Sequence, residues 1–483
     1  MYYSAIIIGS GFSGLCMAIK LQEQGISNFI ILEKAQEVGG TWRENTYPGA
    51  ECDIPSALYS YSFEPYTAWE YKWSHQPQIL EYLIHVCKKY NLYKHIKFGI
   101  EMIGAQWHED EGIWTIKTNK SSFKCQSLIS AIGQLHHPTF PKIKGQDTFK
   151  GTSYHSAQWN HGIDLKGKKV AVIGNAASAV QFIPEIAQIA ESVHVFQRSS
   201  NWMLPKQDRL YKSWEKKLVR LFPLVLKLYR LRMWLLGGGL FFLMKKGNGF
   251  LRKAYEKQTV RYINKCIDDP ELAAKLIPKY PMGAKRILFS DNYYHALNKK
   301  NVFLVTDTIT DINENEICAK NDIVHNCDHI VYATGFRSNP FLLNLDIVGR
   351  GGITLKEVWL DEPVNYKGIN VHHFPNLFIM YGPNTNLGHN SIVIMSEAQS
   401  CYISQCIKAL ETNDWKAIEI KKEAQSKYYN AIQKRLKEMV WSEVGDSWYK
   451  SANGNLSNNW PGRTMEYSRI TRQVNFKDYD ITR

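Results

Sequence analysis

The sequence predicts an α/β protein in which two Rossmann-like dinucleotide-binding domains are accompanied by a helical insertion. Two glycine-rich loops carry this prediction, because each stands between a short apolar strand and a helix. A chain of 483 residues also exceeds the ~250 to 300 residues at which a single core stops growing. The expected divisions are residues 1–145 and 339–483 for the first domain, 146–204 and 282–338 for the second, and 205–281 for the insertion.

The composition is that of an ordinary globular protein, with 44% hydrophobic and 22% charged residues. These values exclude disordered and collagen-like classes. The formal net charge is +14, but the lysines and arginines are spread along the chain without a basic arm. Nucleic-acid binding is therefore not expected, and the positive charge suits anionic cofactors.

Cysteine usage and the N-terminus predict a cytoplasmic protein. The nine cysteines form no CxxC pair and no Cys/His spacing suited to zinc, so we expect reduced thiols and no metal site. The first strand runs directly into a glycine loop, without the basic region, apolar core and cleavage site of a signal peptide.

The first nucleotide loop follows the apolar strand at residues 4–8 and has the pattern GxGxxG, formed by Gly9, Gly11 and Gly14. Such glycines permit a tight turn, let the backbone approach a pyrophosphate and allow close helix packing. The next strand ends on Glu33, where a carboxylate binds a ribose 2′-hydroxyl. This unit is predicted to bind a dinucleotide without a 2′-phosphate.

A second copy of this unit begins with the apolar strand at residues 168–173. The position 24 residues after the first glycine is Glu33 in the first copy and Arg198 in the second. A carboxylate there repels a 2′-phosphate, whereas a guanidinium binds one through a charge-assisted pair, so the second site is predicted to prefer NADPH. The predicted cofactor-binding residues of this copy are Gly174, Ala176, Ser178, Gln181 and Arg198.

The middle position of the second loop departs from the pattern, since Ala176 stands where the first loop has Gly11. A methyl group in a tight contact costs ~1 to 3 kcal/mol. Two consequences are open: weaker NADPH binding, or a loop shifted from the position that the first copy takes.

Two longer motifs carry a family resemblance. Phe149, Gly151, His155 and Trp159 have the spacing FxGxxxHxxxW, and residues 39–53 match the pattern GGxWxxxxYPGxxxD. Over nearly its whole length the sequence resembles the class B flavoprotein monooxygenases, and within them the Baeyer–Villiger monooxygenases.

The fingerprint of that family ends on Pro or Asp, and this chain has Asn160 there. Related flavin-containing monooxygenases that oxidise nitrogen or sulfur carry Tyr or Phe in place of Trp159, so Trp159 favours the Baeyer–Villiger branch. Without the resemblance, residues 149–160 would be a linker between the two domains.

The resemblance implies FAD in the first site, NADPH in the second, and a ketone and O2 as substrates. NADPH would reduce FAD, and a flavin C4a-peroxide would convert the ketone into an ester or lactone. Arg286 and Asp53 would be catalytic, since an arginine cannot lose its proton and would favour the peroxide anion. The resemblance also implies flavin contacts for Trp42, Asp53 and Tyr59. Lys285 would bind phosphate, and His155 and Trp159 would couple the domains. The closing motifs of the family would correspond to Ser447, Trp448, Tyr449, Trp460, Pro461 and Gly462.

The predicted insertion contains an apolar run at residues 218–244 with basic residues at both ends, and its uncharged part, residues 233–244, is too short to span a bilayer. One interpretation is a helical subdomain packed on the NADPH domain and lining a substrate entrance. The other is a basic, apolar segment that rests on a membrane through Leu235, Leu236 and Phe241 and collects lipophilic substrate.

Three functions compete at this stage: a ketone monooxygenase, a nitrogen or sulfur oxidiser of the same fold, and a flavin-binding NADPH oxidase whose oxygenation is uncoupled. Ala176 and Asn160 keep the third open. A disulfide reductase is excluded because Cys52 has no second cysteine a few residues away.

Overall fold

A computed structural model of the chain describes residues 2–337, 341–342, 345–445, 449–451 and 453–483. The predicted boundary between residues 338 and 339, and the motif residues Ser447 and Trp448, lie outside this part. The strands are β1 (Tyr2–Ile8), β2 (Phe29–Glu33), β3 (Ile96–Phe98), β4 (Met102–His108), β5 (Ile113–Thr118), β6 (Ser122–Ser130), β7 (Thr152–His155), β8 (Lys169–Ile173), β9 (Ser192–Phe196), β10 (Met203–Leu204), β11 (Leu288–Phe289), β12 (Val302–Val305), β13 (Ile309–Ile312), β14 (Glu316–Ala319), β15 (Ile323–Asn326), β16 (His329–Tyr332), β17 (Asp346–Val348), β18 (Leu377–Ile379), β19 (Ala417–Ile420) and β20 (Tyr479–Thr482).

Helices cover both sheets and build the insertion. They are α1 (Phe12–Glu23), α2 (Thr41–Glu44), α3 (Gln76–Lys89), α4 (Ala177–Ile186), α5 (Ser213–Leu221), α6 (Pro223–Leu240), α7 (Gly249–Cys266), α8 (Pro270–Leu276), α9 (Tyr293–Leu297), α10 (Leu355–Val358), α11 (Ile392–Thr412), α12 (Lys422–Leu436) and α13 (Thr464–Ile470). None of them, within the described residues, is both long and apolar enough to cross a membrane.

The first sheet has the order β17-β4-β5-β6-β1-β2-β3, and β18 also pairs with β6. In β1, Ile7 packs into the core on one face of the sheet, whereas Ile6 and Ile8 pack into the core on the other face. Because both faces are covered, β1 is apolar along most of its length, as is typical of a buried parallel strand.

The second sheet is parallel throughout and has the order β12-β9-β8-β16-β7. It takes strands from residues 152–196 and 302–332, so the chain leaves it for the insertion and returns. The α/β class with two parallel nucleotide-binding units, expected from the repeated loops, is confirmed.

The insertion is helical but divides its contacts between the two units. Ile263 of α7 and Leu276 of α8 pack into the core of the second unit, as predicted. Helix α6 instead lies against residues 57–60 of the first unit, where Arg230 donates to the carbonyl of Ala57 and to Ser60 Oγ. The prediction that the whole insertion packs on the NADPH domain is therefore wrong for α6.

The membrane interpretation also needs one correction. Leu235 and Leu236 are 58% and 57% exposed. Phe241 is only 4% exposed, and its ring packs against the His389 ring at a tilt, with the centroids 5.2 Å apart. Phe241 lies in the interior because it begins the short, largely buried helix Phe241–Met244, which directly follows the glycine-rich end of α6.

The loop at residues 47–51 joins the two units by packing on α4. Gly49 has φ +74°, and a Cβ there would lie 2.6 Å from the carbonyl oxygen of Gln181, so only glycine fits the contact. The ring centroids of Tyr47 and Phe182 lie 6.0 Å apart, and those of Phe182 and Trp159 lie 5.3 Å apart. An aromatic chain thus crosses the domain boundary.

Replacing Phe182 by alanine should lower stability by about 3 to 5 kcal/mol, because a buried aromatic side chain leaves a cavity when it is truncated. The thermal unfolding midpoint and limited proteolysis at residues 47–51 measure the effect. Phe303→Ala, at a position that is 46% exposed, is the matched control and should change the midpoint little. Equal losses from both variants would contradict the proposed contact.

Candidate active site

The first nucleotide loop is built so that only glycine fits its turn. Gly9 has φ +100°, and a Cβ on Gly14 would lie 1.9 Å from the Gly9 carbonyl oxygen. Gly11 is the N-cap of α1, and no described side chain caps that helix start. Its first backbone N–H groups therefore suit a pyrophosphate.

Glu33 ends β2 and is 4% exposed. Its Oε2 accepts hydrogen bonds from Ser10 N (2.8 Å) and Ser10 Oγ (2.7 Å), and its Oε1 accepts from Ala35 N (3.0 Å). The carboxylate thus holds the glycine loop against the strand end. Its contact with a ribose stays a prediction.

The second loop repeats the backbone of the first. Gly174 has φ +105° and would place a Cβ 2.4 Å from the Ala333 carbonyl oxygen. Ala176, the N-cap of α4, has φ −84° and ψ −162°, close to the φ −79° and ψ −169° of Gly11. Ala176 is exposed, so its methyl group neither strains nor shifts the loop.

Two cations lie at the end of β9. Arg198 is exposed there, and Lys285 Nζ donates to Ser199 Oγ at 3.1 Å while lying 4.7 Å from the Tyr280 ring centroid. The contact with Ser199 places Lys285 beside the neighbouring Arg198. This arrangement suits a 2′-phosphate.

The two other residues predicted for NADPH binding face the first unit. Gln181 Oε1 accepts from Tyr47 OH at 2.9 Å, and Gln181 Nε2 donates to the Glu51 carbonyl at 2.9 Å. Ser178 also hydrogen-bonds Tyr47, whose pKa burial raises to about 12. Both residues therefore join the domains, and their binding of NADPH stays a prediction.

Asp53 and Arg286 form a planar, bidentate ion pair. Arg286 Nε and Nη2 donate to the two carboxylate oxygens at 2.7 Å each. The Asp53 charge raises the pKa of Arg286 further above its ordinary value, so the guanidinium stays a cation. The Asp53 and Arg286 side chains are 20% and 36% exposed, respectively, so the pair is partly accessible.

Aromatic side chains gather beside the first loop. Trp42 Nε1 donates to Tyr59 OH at 3.1 Å, and the two rings meet edge to face at 5.6 Å. Tyr59 also meets Phe12, the first residue of α1, at 5.1 Å. Trp42 and Tyr59 thus lie beside the first loop, and their contact with a flavin stays a prediction.

His155 is fully buried at the end of β7. Its Nδ1 accepts from Ala157 N at 3.1 Å, and its ring lies 5.6 Å from both Phe140 and Phe336. Burial lowers its pKa, so the ring is neutral and is held by packing. The environment is that of a structural histidine.

Asn160 replaces the Pro or Asp of the family fingerprint without loss of its local contact. Its Oδ1 accepts from Gly162 N at 3.0 Å, which closes a turn that an aspartate would close in the same way. The effect of Asn160 on the reaction stays open.

Sequence reasoning missed a lysine that holds the Asp53 loop. Lys206 lies in the predicted insertion, is buried, forms an ion pair with Glu51 and donates to the Cys52 carbonyl at 3.3 Å. Tyr449, expected only to touch the site, hydrogen-bonds the backbone of Arg286. No sequence signal points to Lys206, because its partners are about 150 residues away.

His389 was also missed. It is 4% exposed beside Phe241, and neither ring nitrogen has a hydrogen-bond partner among the described residues. Burial lowers its pKa to about 4, so the ring is neutral near pH 7.

A family model described as pyridine nucleotide-disulphide oxidoreductase matches residues 6–220. A Baeyer–Villiger monooxygenase of Pseudomonas aeruginosa is 39% identical over 99% of this chain and 91% of that protein. The chain belongs to the Baeyer–Villiger monooxygenases. A second member, from Streptomyces coelicolor, is 37% identical over 99% of this chain and 92% of its own length.

Solved structures agree with this family assignment. An oxidized steroid monooxygenase bound to NADP superposes with a TM-score of 0.90 at 30% identity, covering 100% of both chains. A closed cyclohexanone monooxygenase gives 0.89 at 26% identity, covering 100% of this chain and 99% of the other. A complex of OTEMO with FAD and NADP gives 0.90 at 27%, covering 99% of both chains.

This Baeyer–Villiger monooxygenase lacks the dithiol that the broader family description suggests. All nine cysteines are free, and burial raises the pKa of the Cys52 thiol well above its ordinary value. Cys52 therefore has neither a described disulfide partner nor thiolate character.

Arg198→Ala should raise the KM for NADPH by about 10- to 100-fold, since a lost charged hydrogen bond costs about 1.5 to 3 kcal/mol. The KM for NADH should change little, because NADH has no 2′-phosphate. Steady-state oxidation of both cofactors measures the ratio, with Lys300→Ala as the exposed control. An equal rise for NADH would remove Arg198 from phosphate recognition.

His389→Leu should make the protein less sensitive to acid. The folded-state pKa lies below the ordinary 6.5, so protons bind the unfolded chain first, and stability falls as the pH drops from about 6.5 towards 4. At pH 5 this penalty amounts to about 2 kcal/mol. Unfolding midpoints at pH 7.5 and 5.0 test it, with exposed His295→Leu as the control. A similar acid shift in all three proteins would contradict the assignment.

Proposed function

We propose that this chain converts ketones into esters or lactones, using NADPH, O2 and FAD. The observation that carries the proposal is the Asp53–Arg286 pair, in which a bidentate contact holds a permanent cation in a fixed orientation. The curated relatives and solved structures of the same family support it.

The two loops fit dinucleotides. Each leaves an uncapped helix start at the carboxyl ends of parallel strands, and each has a glycine turn that a side chain would block. Residues of the first loop, with Trp42 and Tyr59, would hold FAD, and Arg198 with Lys285 would hold the 2′-phosphate of NADPH. Bound FAD supplies the oxygen-transfer chemistry.

Arg286 provides a charge that needs no reorganisation during the reaction. Asp53 fixes the guanidinium through Nε and Nη2, and no described residue accepts a hydrogen bond from Nη1. That nitrogen is therefore the donor that remains for negative charge developing on the reacting oxygen. Such a preorganised donor favours attack on a carbonyl carbon.

The ketone's hydrocarbon part has a suitable environment beside this charge. Ala284, two residues before Arg286, belongs to a buried apolar cluster with Phe241, Met244, Leu387 and Tyr449. Their proximity to the Arg286 segment supports a lipophilic substrate. We place the protein in the cytoplasm, where free thiols persist.

Arg286→Ala should retain FAD but lower ester formation by at least about 100-fold, the usual effect of removing a preorganised donor. Product mass spectrometry with a ketone and NADPH measures it, and exposed Arg469→Ala is the control. Parallel assays of thioether oxidation and hydrogen peroxide distinguish a heteroatom oxidiser and an uncoupled oxidase. Full ester yield from Arg286→Ala would remove Arg286 from the mechanism.

A further inference from the structure

Helix α6 exposes its leucines. Leu224, Leu228, Leu231 and Leu235 are 66%, 57%, 48% and 58% exposed. Their spacing of four, three and four residues places them along one side of the helix. We call this side the leucine face.

The opposite side of α6 is fixed to the protein by polar contacts. Arg230 donates to Ala57 and Ser60, and Trp234 Nε1 donates to Thr464 Oγ1 at 2.9 Å. A Cβ on Gly237 would lie 2.8 Å from the His389 carbonyl oxygen. The helix cannot rotate to bury its leucines without breaking these contacts.

Neighbouring segments extend the apolar surface. Large apolar side chains are also exposed at both ends of α6 and on the adjoining helices, and exposed apolar patches mark interaction surfaces. The exposed residues are Trp214 (60%), Leu221 (71%), Phe222 (58%), Leu236 (57%), Phe242 (41%), Phe250 (92%) and Leu251 (40%).

The charge around the leucine face has one sign. Residues 216–255 contain ten Lys and Arg and no Asp or Glu. Arg230 donates to the first unit, whereas Lys217, Arg220, Lys227, Arg232, Lys245 and Lys246 are exposed. Helical spacing places Lys227 and Arg232 on the two flanks of the leucine face.

Exposed leucines within a basic rim match the interface of an anionic bilayer, where apolar side chains enter the acyl boundary and cations meet the headgroups. A protein partner would need an equally apolar and acidic surface. No helix among the described residues is long and apolar enough to cross a membrane, and the contact proposed below is a peripheral one.

We propose that the leucine face of α6 rests on an anionic lipid surface, from which lipophilic ketones reach the active site. The delivery of ketones to the active site rests on the proposed function. Helix α6 continues into the short helix Phe241–Met244, whose buried residues pack beside Ala284 and the Arg286 segment. One continuous segment thus links the lipid-facing surface with the apolar cluster beside the cation.

Flotation with phosphatidylcholine vesicles, with and without about 30 mol% phosphatidylserine, tests the surface contact. The full-length protein should float with the anionic vesicles, and Leu228→Glu/Leu235→Glu should lower the bound fraction about tenfold or more. Lys227→Glu/Arg232→Glu should abolish the preference for phosphatidylserine. Leu360→Glu, at a position that is 69% exposed and outside residues 213–255, should bind like the parent.

A parent protein that stays unbound, or a Leu228→Glu/Leu235→Glu variant that binds equally well, would overturn the proposal. Sedimentation velocity without vesicles tests the other occupant: if the parent were a dimer that this variant dissociates, the face would be a contact between copies. Turnover of a water-soluble ketone should be the same in parent and variant. Absence of ester formation by the parent would instead refute the proposed function and leave the vesicle result standing.

Discussion

The ion pair between Asp53 and Arg286 is the contact on which the arrangement of the site depends. Its partners are separated by 233 residues and come from different units: Asp53 follows the loop packed on α4, and Arg286 precedes β11. A bidentate guanidinium–carboxylate pair fixes orientation as well as distance. The pair therefore sets the position of the cation and is one of several contacts that join the two units, and loss of Asp53 alone would leave a cation without its partner.

The loop that carries Asp53 is held from several directions. Lys206 neutralises Glu51 and binds the Cys52 carbonyl, while Gln181 binds Tyr47 and the Glu51 backbone. A buried ion pair contributes little net stability, because the cost of desolvating both charges offsets their attraction. These contacts fix the position of the loop more than they stabilise the fold, because they leave the loop few alternative conformations.

Local patterns predicted the nucleotide units well, because glycine turns, strand hydrophobicity and a fixed register are encoded within about 30 residues. Contacts across the chain were not accessible in this way. Family resemblance supplied Asp53 with Arg286, but no pattern pointed to Lys206. The periodicity of α6 shows a leucine stripe without showing which side faces inward. Arg230 fixes the inward side, because its guanidinium donates hydrogen bonds to the Ala57 and Ser60 carbonyls.

The orientation of α6 has an energetic consequence. Apolar surface left in water costs roughly 25 cal/mol per Å², and an ordinary surface helix avoids this cost by turning its leucines inward. Here Arg230 and Gly237 prevent that rotation, since the guanidinium would lose its carbonyl partners and any turn would press the helix on the His389 backbone. The fold therefore leaves these leucines exposed. Because α6 continues into the short helix Phe241–Met244, one segment joins this exposed face to the apolar cluster that contains Ala284, two residues before Arg286.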